Sequence, residues 1–311
     1  MPAITTLVNL SHFGLIEFAG EEALPFLQGQ LSCDVENLQI WHAQYGSYNT
    51  PKGRMLASFL LWRTADAYYM QLPRGLCEPV RKRIAIFILR SKVRVTDASD
   101  GWALFGIAGT NAEQLLKKKL GPVPSTPMEM TTAENVSILK LDSTRFQIIA
   151  EADYASQVRD VLADETIPAS REAWDLLDIR AGIPFVLPET QEQFVPQMAN
   201  LDLVGGVSFS KGCYPGQEIV ARMHYLGKLK QRMYLARIET ADPPNAGDKV
   251  FSSMLGEQAA GMLVNAAPVP GGGYDALVVM QIESAGSGDI HWKSLDGPRL
   301  QLKSLPYEIP S

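Results

Sequence analysis

Lys211-Gly212-Cys213-Tyr214-Pro215-Gly216-Gln217-Glu218, continued by residues 219–222, is the densest run of reactive side chains in this sequence. It combines a thiol, a cation, an amide and a carboxylate with two glycines. A short helix is predicted after it, because Pro215 suits a first helical position and Gly227 can end a helix in the left-handed conformation. Cys213 then precedes a helix N-terminus with Lys211 two residues away, and both features favour a thiolate.

Two interpretations of Cys213 follow from the residues alone. The cysteine is either a reactive thiol or a turn residue that only packs, and a lone cysteine without a partner motif does not decide between them. The candidate catalytic residues of the segment are Cys213, Lys211, Gln217, Glu218 and Arg222.

The composition is typical of a soluble globular protein with two or three domains. The chain has 311 residues, of which 46% are hydrophobic and 20% charged. Its first residues do not resemble a signal peptide, and no apolar stretch approaches the roughly 20 residues that a membrane helix needs. Three widely spaced cysteines favour a reducing, cytoplasmic setting over a disulfide framework, and four scattered histidines predict no metal site.

The net charge of −6 hides two basic segments, residues 78–94 and residues 211–232. Each is either a solvated face or part of a site for an anion such as a polyglutamate tail, a phosphate or RNA. Local basic patches on an acidic chain favour a small anionic ligand over broad coating of nucleic acid.

Three patterns succeed one another along the chain. The first part contains a predicted strand at 13–19, a helix at 21–30, a hairpin of strands 55–63 and 67–72, and a helix from Pro79 onward. Residues 102–163 then follow a β-α-β-β-α order, which favours a ferredoxin-like subdomain. After residue 233, short β-prone runs alternate with turns and predict a small antiparallel barrel.

A further helix is predicted at 171–181, with Ser170 as its N-cap and Gly182 at its end. Trp174 lies on the apolar face of this helix, where a tryptophan is more often part of the core than of a ligand site. The glycine run 271–273 precedes a strand rather than a helix, so it is not interpreted as a phosphate loop.

The segment 211–222 resembles the signature of the YgfZ family, whose members are relatives of the glycine-cleavage aminomethyltransferase, the T protein. Further matches follow in family order between about residues 10 and 235: Phe26-Leu27-Gln28-Gly29-Gln30, Lys52-Gly53-Arg54, Ile179-Arg180-Ala181-Gly182-Ile183-Pro184, Phe194-Val195-Pro196-Gln197 and Asn200-Leu201. The octapeptide together with this ordered set is specific, and it favours the functional interpretation of Cys213.

The resemblance implies an α+β fold, a three-part cloverleaf of the aminomethyltransferase type. Its parts would be a folate-binding module formed by residues 1–98 and 168–230, a ferredoxin-like subdomain at 99–167 and a small C-terminal antiparallel β-barrel at 231–311.

The resemblance also implies a cytoplasmic protein that binds tetrahydrofolate or a derivative and maintains iron–sulfur enzymes, including those that thiolate tRNA. The expected partners are folate and iron–sulfur client proteins or assembly factors, with tRNA involved only indirectly and no membrane. Transient involvement of an iron–sulfur cluster is left open. Trp174 and Phe13, which stands where the family often has tryptophan, would contact the pterin. Arg180 or the basic segments would meet the glutamate tail, and Asn200 completes the predicted cofactor-binding set.

One feature of the T protein is missing. The acidic pair that follows its Gly-Gly turn corresponds here to Leu56-Ala57, so aminomethyl transfer is not expected unless Asp34 substitutes. Three functions stay open. The motifs favour a folate-dependent accessory factor that uses Cys213 as thiol, ligand or sulfur carrier. The others are a one-carbon transferase acting on RNA or protein, and a non-catalytic folate-sensing module.

Overall fold

The computed structural model describes residues 4–310, which form two compact units. Unit 1 comprises the residues up to Leu27, then Val35–Gln44 and Leu60–Trp174. Unit 2 comprises Gln28–Asp34, Tyr45–Phe59 and the chain from residue 175 onward. The division into modules 1–98 with 168–230, 99–167 and 231–311 stays a prediction.

The helices and strands follow in chain order. They are β1 (Thr6–Asn9), β2 (Phe13–Ala19), α1 (Ala23–Gln28), β3 (Ala43–Asn49), β4 (Met55–Arg63), β5 (Ala67–Pro73), α2 (Arg74–Ala85), β6 (Arg94–Asp97), β7 (Trp102–Ala108), α3 (Ala112–Lys119), β8 (Met130–Ala133), β9 (Val136–Lys140), β10 (Arg145–Glu151), α4 (Ala155–Ala163), β11 (Ile167–Ala169), α5 (Arg171–Arg180), α6 (Gln217–Tyr225), β12 (Gln231–Ile238), β13 (Lys249–Phe251), β14 (Ala259–Pro268), β15 (Tyr274–Gln281), α7 (Ile282–Ser287), β16 (His291–Trp292) and β17 (Leu300–Lys303).

The first sheet of unit 1 has the order β11-β1-β7-β10-β9-β8. The predicted ferredoxin-like subdomain is confirmed in its order β7-α3-β9-β10-α4, to which the structure adds the short strands β8 before β9 and β11 after α4. The N-terminal strand β1 lies between β11 and β7, parallel to the former and antiparallel to the latter. Alternate residues of β7 and β10 point to one face, where Phe105 and Ile148 pack with Leu116 of α3 and Leu162 of α4. The amphipathic helices therefore cover one face of this sheet.

A second sheet has the order β3-β4-β5-β2-β6 and contains the predicted hairpin of β4 and β5. The prediction for the following helix was wrong in its bounds, because α2 begins at Arg74, directly after β5, and Pro79 lies inside it. Its buried stripe includes Val80 and Ile84 but ends there, and Phe87 is 47% exposed beyond the last turn.

The C-terminal sheet has the order β16-β13-β14-β15-β12-β17, and its described pairings are antiparallel. An antiparallel bridge between His291 and Arg299 brings the two edges of that order together, because Arg299 directly precedes β17. Ile238, Val278 and Trp292 are among the buried residues of its core. The predicted small barrel is therefore confirmed, although β13 and β16 are too short to give a sequence pattern.

Raising the pH is expected to weaken the barrel through His291. Its Nδ1 lies 2.8 Å from the Gly297 carbonyl oxygen and its Nε2 lies 2.9 Å from the Asp289 carboxylate. The Gly297 carbonyl, and then Asp289, raise the pKa of His291, so the folded state holds the proton more tightly. This stabilisation is complete below the unfolded pKa of about 6.5 and is lost as the pH rises through the higher folded value.

Urea unfolding at about pH 5.5 and about pH 8.5 measures the effect. We expect the free energy of unfolding to fall by up to about 1 kcal/mol between them, because the ion pair is partly exposed. In His291→Gln the free energy of unfolding should fall less between the two pH values. In His42→Gln, the matched control, it should fall as much as in wild type. An identical fall in His291→Gln and wild type would contradict the assignment.

Candidate functional site

Lys211 anchors the signature loop by a buried ammonium group. Its Nζ donates to the carbonyl oxygens of Leu31 at 2.7 Å and Cys33 at 2.8 Å, and it lies 5.2 Å from the centre of the Tyr214 ring. Desolvation lowers the pKa of Lys211 to about 8, against the opposing effect of Cys33 and Asp34. The described hydrogen bonds of this cation go to segment 31–33, not to Cys213, so its observed role is to hold the loop in place.

Two glycines position the helix that follows. Gly216 is the N-cap of α6 with φ 81°, and a Cβ there would lie 2.5 Å from the Thr50 carbonyl oxygen and 2.6 Å from the Gly53 Cα. Gly53 has φ 73° and in turn packs against Ile219 of α6. The turn 52–54 and the start of α6 therefore need glycine on both sides of their contact.

The predicted start of this helix was wrong. It begins at Gln217 rather than at Pro215, because Gly216 takes the left-handed conformation. It ends at Tyr225 with Leu226 as C-cap, so Gly227 follows its end as predicted, but Gly227 does not take the left-handed conformation.

The candidate catalytic residues divide into an exposed and a supporting set. Cys213, Glu218 and Arg222 are exposed. Lys211 is buried, and the half-buried Gln217 donates through its side-chain amide to the Lys211 carbonyl at 3.3 Å. The signature therefore presents a thiol, a carboxylate and a guanidinium to solvent and uses the other two residues to shape the loop.

Cys213 differs from the other two cysteines, which are both buried. Burial raises the pKa of Cys33 to about 12 and that of Cys77 to about 11. These two thiols stay protonated and inaccessible, so Cys213 is the cysteine that a reagent or partner can reach.

The two predicted pterin-contacting rings lie in unit 1 and are buried. Trp174 is 1% exposed and covers Gly106, where a Cβ would come within 2.3 Å of the ring. The Arg145 guanidinium lies 6.0 Å from the same ring. Phe13, on β2, is 5% exposed. Gly106 is thus required for the tryptophan to lie flat on β7.

The other two predicted cofactor residues lie in unit 2 and make specific polar contacts within it. Arg180 donates from Nε to the buried Asp275 carboxylate at 2.8 Å. Asn200 donates from Nδ2 to the Met233 carbonyl at 2.8 Å and accepts from the Met233 amide at 3.3 Å. Both side chains connect preceding segments to strands of the barrel.

Unpartnered polar atoms mark Asn49, which the sequence did not single out, together with Tyr214 and Gln30 of the matched motifs. Both side-chain amide atoms of Asn49 and the Tyr214 hydroxyl are buried without a hydrogen-bond partner among residues 4–310, and so is Oε1 of Gln30. Because the bridge between Leu31 and Tyr48 is antiparallel, residues 30 and 49 are the next opposing pair. Buried groups of this kind are costly unless a ligand or water completes them. No sequence signal distinguished Asn49 from an ordinary turn residue.

The positions that correspond to the acidic pair of the T protein hold no carboxylate. Leu56 is 5% exposed and Ala57 is fully buried in β4. Asp34, the suggested substitute, accepts a hydrogen bond from the Gln28 side chain at 3.0 Å.

The described part of the chain contains neither a metal-holding cluster nor a membrane-length apolar helix. Among residues 4–310, no three histidine, cysteine or acidic side chains are grouped so that they could hold a metal ion. Within the same range, no helix has the length and apolarity needed to cross a bilayer.

Known proteins are similar to this chain in sequence and in fold. Residues 4–208 match the family model of the GCVT N-terminal domain. The chain is 32% identical over 255 residues to the tRNA-modifying protein YgfZ of Colwellia psychrerythraea, a match that covers 81% of this chain and 78% of that protein. The chain belongs to the YgfZ family.

A second relative and a solved structure extend the comparison. The YgfZ of Sodalis glossinidius is 28% identical over 307 residues, covering 98% of this chain and 93% of the relative. The glycine cleavage system aminomethyltransferase T of Bartonella henselae superposes with a TM-score of 0.80 at 18% identity, over 97% of this chain and 86% of the other. The predicted YgfZ resemblance and the aminomethyltransferase-type α+β fold are both confirmed.

Gly216→Ala is expected to destabilise the protein by about 1–3 kcal/mol, because the new methyl group meets the Thr50 carbonyl and the backbone must hold a left-handed φ. Gly212→Ala is the matched control within the same YgfZ signature, because a Cβ there meets nothing within 4 Å. It should stay within about 0.5 kcal/mol of wild type. Equal free energies of unfolding for both variants would show that the contact between Gly216 and the turn does not position α6.

Proposed function

We propose that this YgfZ-family protein is a cytoplasmic, tetrahydrofolate-binding accessory protein that supports assembly or repair of iron–sulfur enzymes, including those that thiolate tRNA. Cys213 acts in it as thiol, ligand or sulfur carrier. The observation that carries the proposal is the exposure of Cys213 on a loop held by Lys211 and Gly216. Relatives with the tRNA-modifying name support the link to tRNA.

The polar groups of unit 2 fit a pterin. A pterin ring carries donors and acceptors along its edges, and the Asn49 amide offers one donor and one acceptor site that no described residue satisfies. The Tyr214 hydroxyl adds a further group of the same kind. Bound tetrahydrofolate would supply a carrier of one-carbon units, and Asn49 would bind and orient its ring.

The buried surface of β4 argues against aminomethyl transfer as the activity. Leu56 and Ala57 provide no group that can hold or move a proton at a folate nitrogen. An accessory role is therefore preferred over a transferase role.

Folate binding is tested by titrating wild type and Asn49→Leu with tetrahydrofolate. We expect saturable binding by wild type and about tenfold weaker binding by the variant, which loses one or two hydrogen bonds. The free energy of unfolding should not fall, because the replaced amide has no partner in the protein. Absence of saturable binding by wild type would overturn the folate assignment. Equal affinities would remove Asn49 from the site.

The role of Cys213 is tested in a strain that lacks this protein. Iron–sulfur enzyme activities and tRNA thiolation should fall there and recover with wild type or Gly212→Ala. Cys213→Ser should restore less than about a tenth of the lost activity, because it keeps the shape but not the thiol. Full rescue by Cys213→Ser would exclude the cysteine from the mechanism and favour a non-catalytic folate-sensing module.

A further inference from the structure

We propose that the exposed face of α6, with the segment that follows it, binds unpaired nucleotides of RNA. We call it the α6 surface and define it by Lys52, Phe209, Arg222, Tyr225, Lys228 and Lys230. The inference rests on the proposed function and deepens it, because it makes RNA a direct partner of the surface that carries Cys213.

The cations of the α6 surface have no acidic partners among residues 4–310. Lys52, Arg222, Lys228 and Lys230 are exposed, and no ion pair or hydrogen bond to an acid engages them. Glu218 is the acidic residue of α6. The surface is therefore positive on a chain whose net charge is −6, as expected for a site that attracts phosphates.

The second basic segment of the chain differs in this respect. Arg81 and Lys82 pair with Glu78, and Lys92 pairs with Glu21 at 2.7 Å. Arg94 also lies 3.7 Å from Glu17, so four of the six cations of residues 78–94 have an acidic partner. The two segments are similar in composition, with six cations and five cations against one acid each, but they differ in how many of those cations an acid engages.

An aromatic platform lies at the end of α6. The rings of Phe209 and His224 stack with centroids 3.7 Å apart and an angle of 13° between their planes. Tyr225 stands edge-on to both, at 6.4 Å and 4.8 Å, and is 66% exposed. Unpaired bases stack on such rings whatever their sequence, whereas the bases of a duplex are not accessible to them.

The loop connects this platform to the thiol. Phe209 contacts the C-terminal end of α6, and Cys213, four residues later, precedes its N-terminal end. Residues 209–213 therefore run beside a helix about 13 Å long. RNA that extends along α6 from this platform would reach the end of the helix that Cys213 precedes.

The decisive experiment measures fluorescence anisotropy of a labelled oligouridine of about 12 nucleotides with the full-length protein at several salt concentrations. The charge variant is Lys228→Ala with Lys230→Ala. Its matched control is Arg83→Ala with Arg90→Ala, which removes the same charge from exposed residues of the other basic segment. The stacking variant is Tyr225→Ala, with Tyr225→Phe as the conservative change.

We expect salt-sensitive binding by wild type and by the Arg83/Arg90 control. The double lysine variant should bind more weakly, with a salt slope smaller by about 1.4, because two phosphate contacts are lost. Tyr225→Ala should weaken binding roughly 5- to 150-fold, and Tyr225→Phe should bind within about twofold of wild type. A duplex of equal length should bind less tightly than the single strand.

Three results would overturn the proposal. They are absence of oligouridine binding at low salt, an equal loss in the Arg83/Arg90 control, and competition by polyglutamate as effective as that by oligouridine of equal charge. The last would assign the surface to a polyglutamate chain, such as a folate tail, instead of RNA. Titration of the same variants with tetrahydrofolate, which has no polyglutamate tail, separates this inference from the proposed function, since the variants keep Asn49 and Tyr214 and should keep the affinity for the pterin.

Discussion

The hydrogen bonds of the buried Lys211 ammonium are the constraint on which the signature loop depends. Removing a cation from water is costly, and the Leu31 and Cys33 carbonyls with the Tyr214 ring offset that cost only when the loop follows one path. With residue 211 fixed, Tyr214 is buried and Cys213 is exposed. The close contact of Gly216 with Gly53 then sets where α6 starts.

The residues of the signature therefore have two different roles, which the sequence motif alone does not distinguish. Lys211 and Gly216 build the loop, while Cys213, Glu218 and Arg222 face solvent. The same division applies elsewhere in the family pattern. Asn200 matches that pattern, yet its amide pairs with the backbone of β12. Conformity to a family motif thus identifies the fold without telling which of its residues meet a ligand.

Electrostatic pairing is what distinguishes the two basic segments. Both read alike in the sequence, but in residues 78–94 neighbouring acids engage most of the cations. In the later segment Lys211 is buried and Arg232 pairs with Asp202, so the remaining cations lie unpaired on the α6 surface. Charge is therefore distributed unevenly over the surface of this chain, and the net charge of −6 does not reveal the positive α6 surface.

The sequence by itself determined the strands β4, β5 and β7, the helices α3, α4 and α5 and the family, because hydrophobic periodicity and ordered motifs are local signals. The end of α5 was also predicted correctly, because Gly182 follows the helix with a φ of 70°. Only the tertiary structure decided that Trp174 is covered, that Lys211 is anchored and that Asn49 lacks a partner. The physical reason is distance along the chain. The Leu31 carbonyl that binds Lys211 is 180 positions away along the chain, and no local pattern records which remote group will satisfy a buried polar atom.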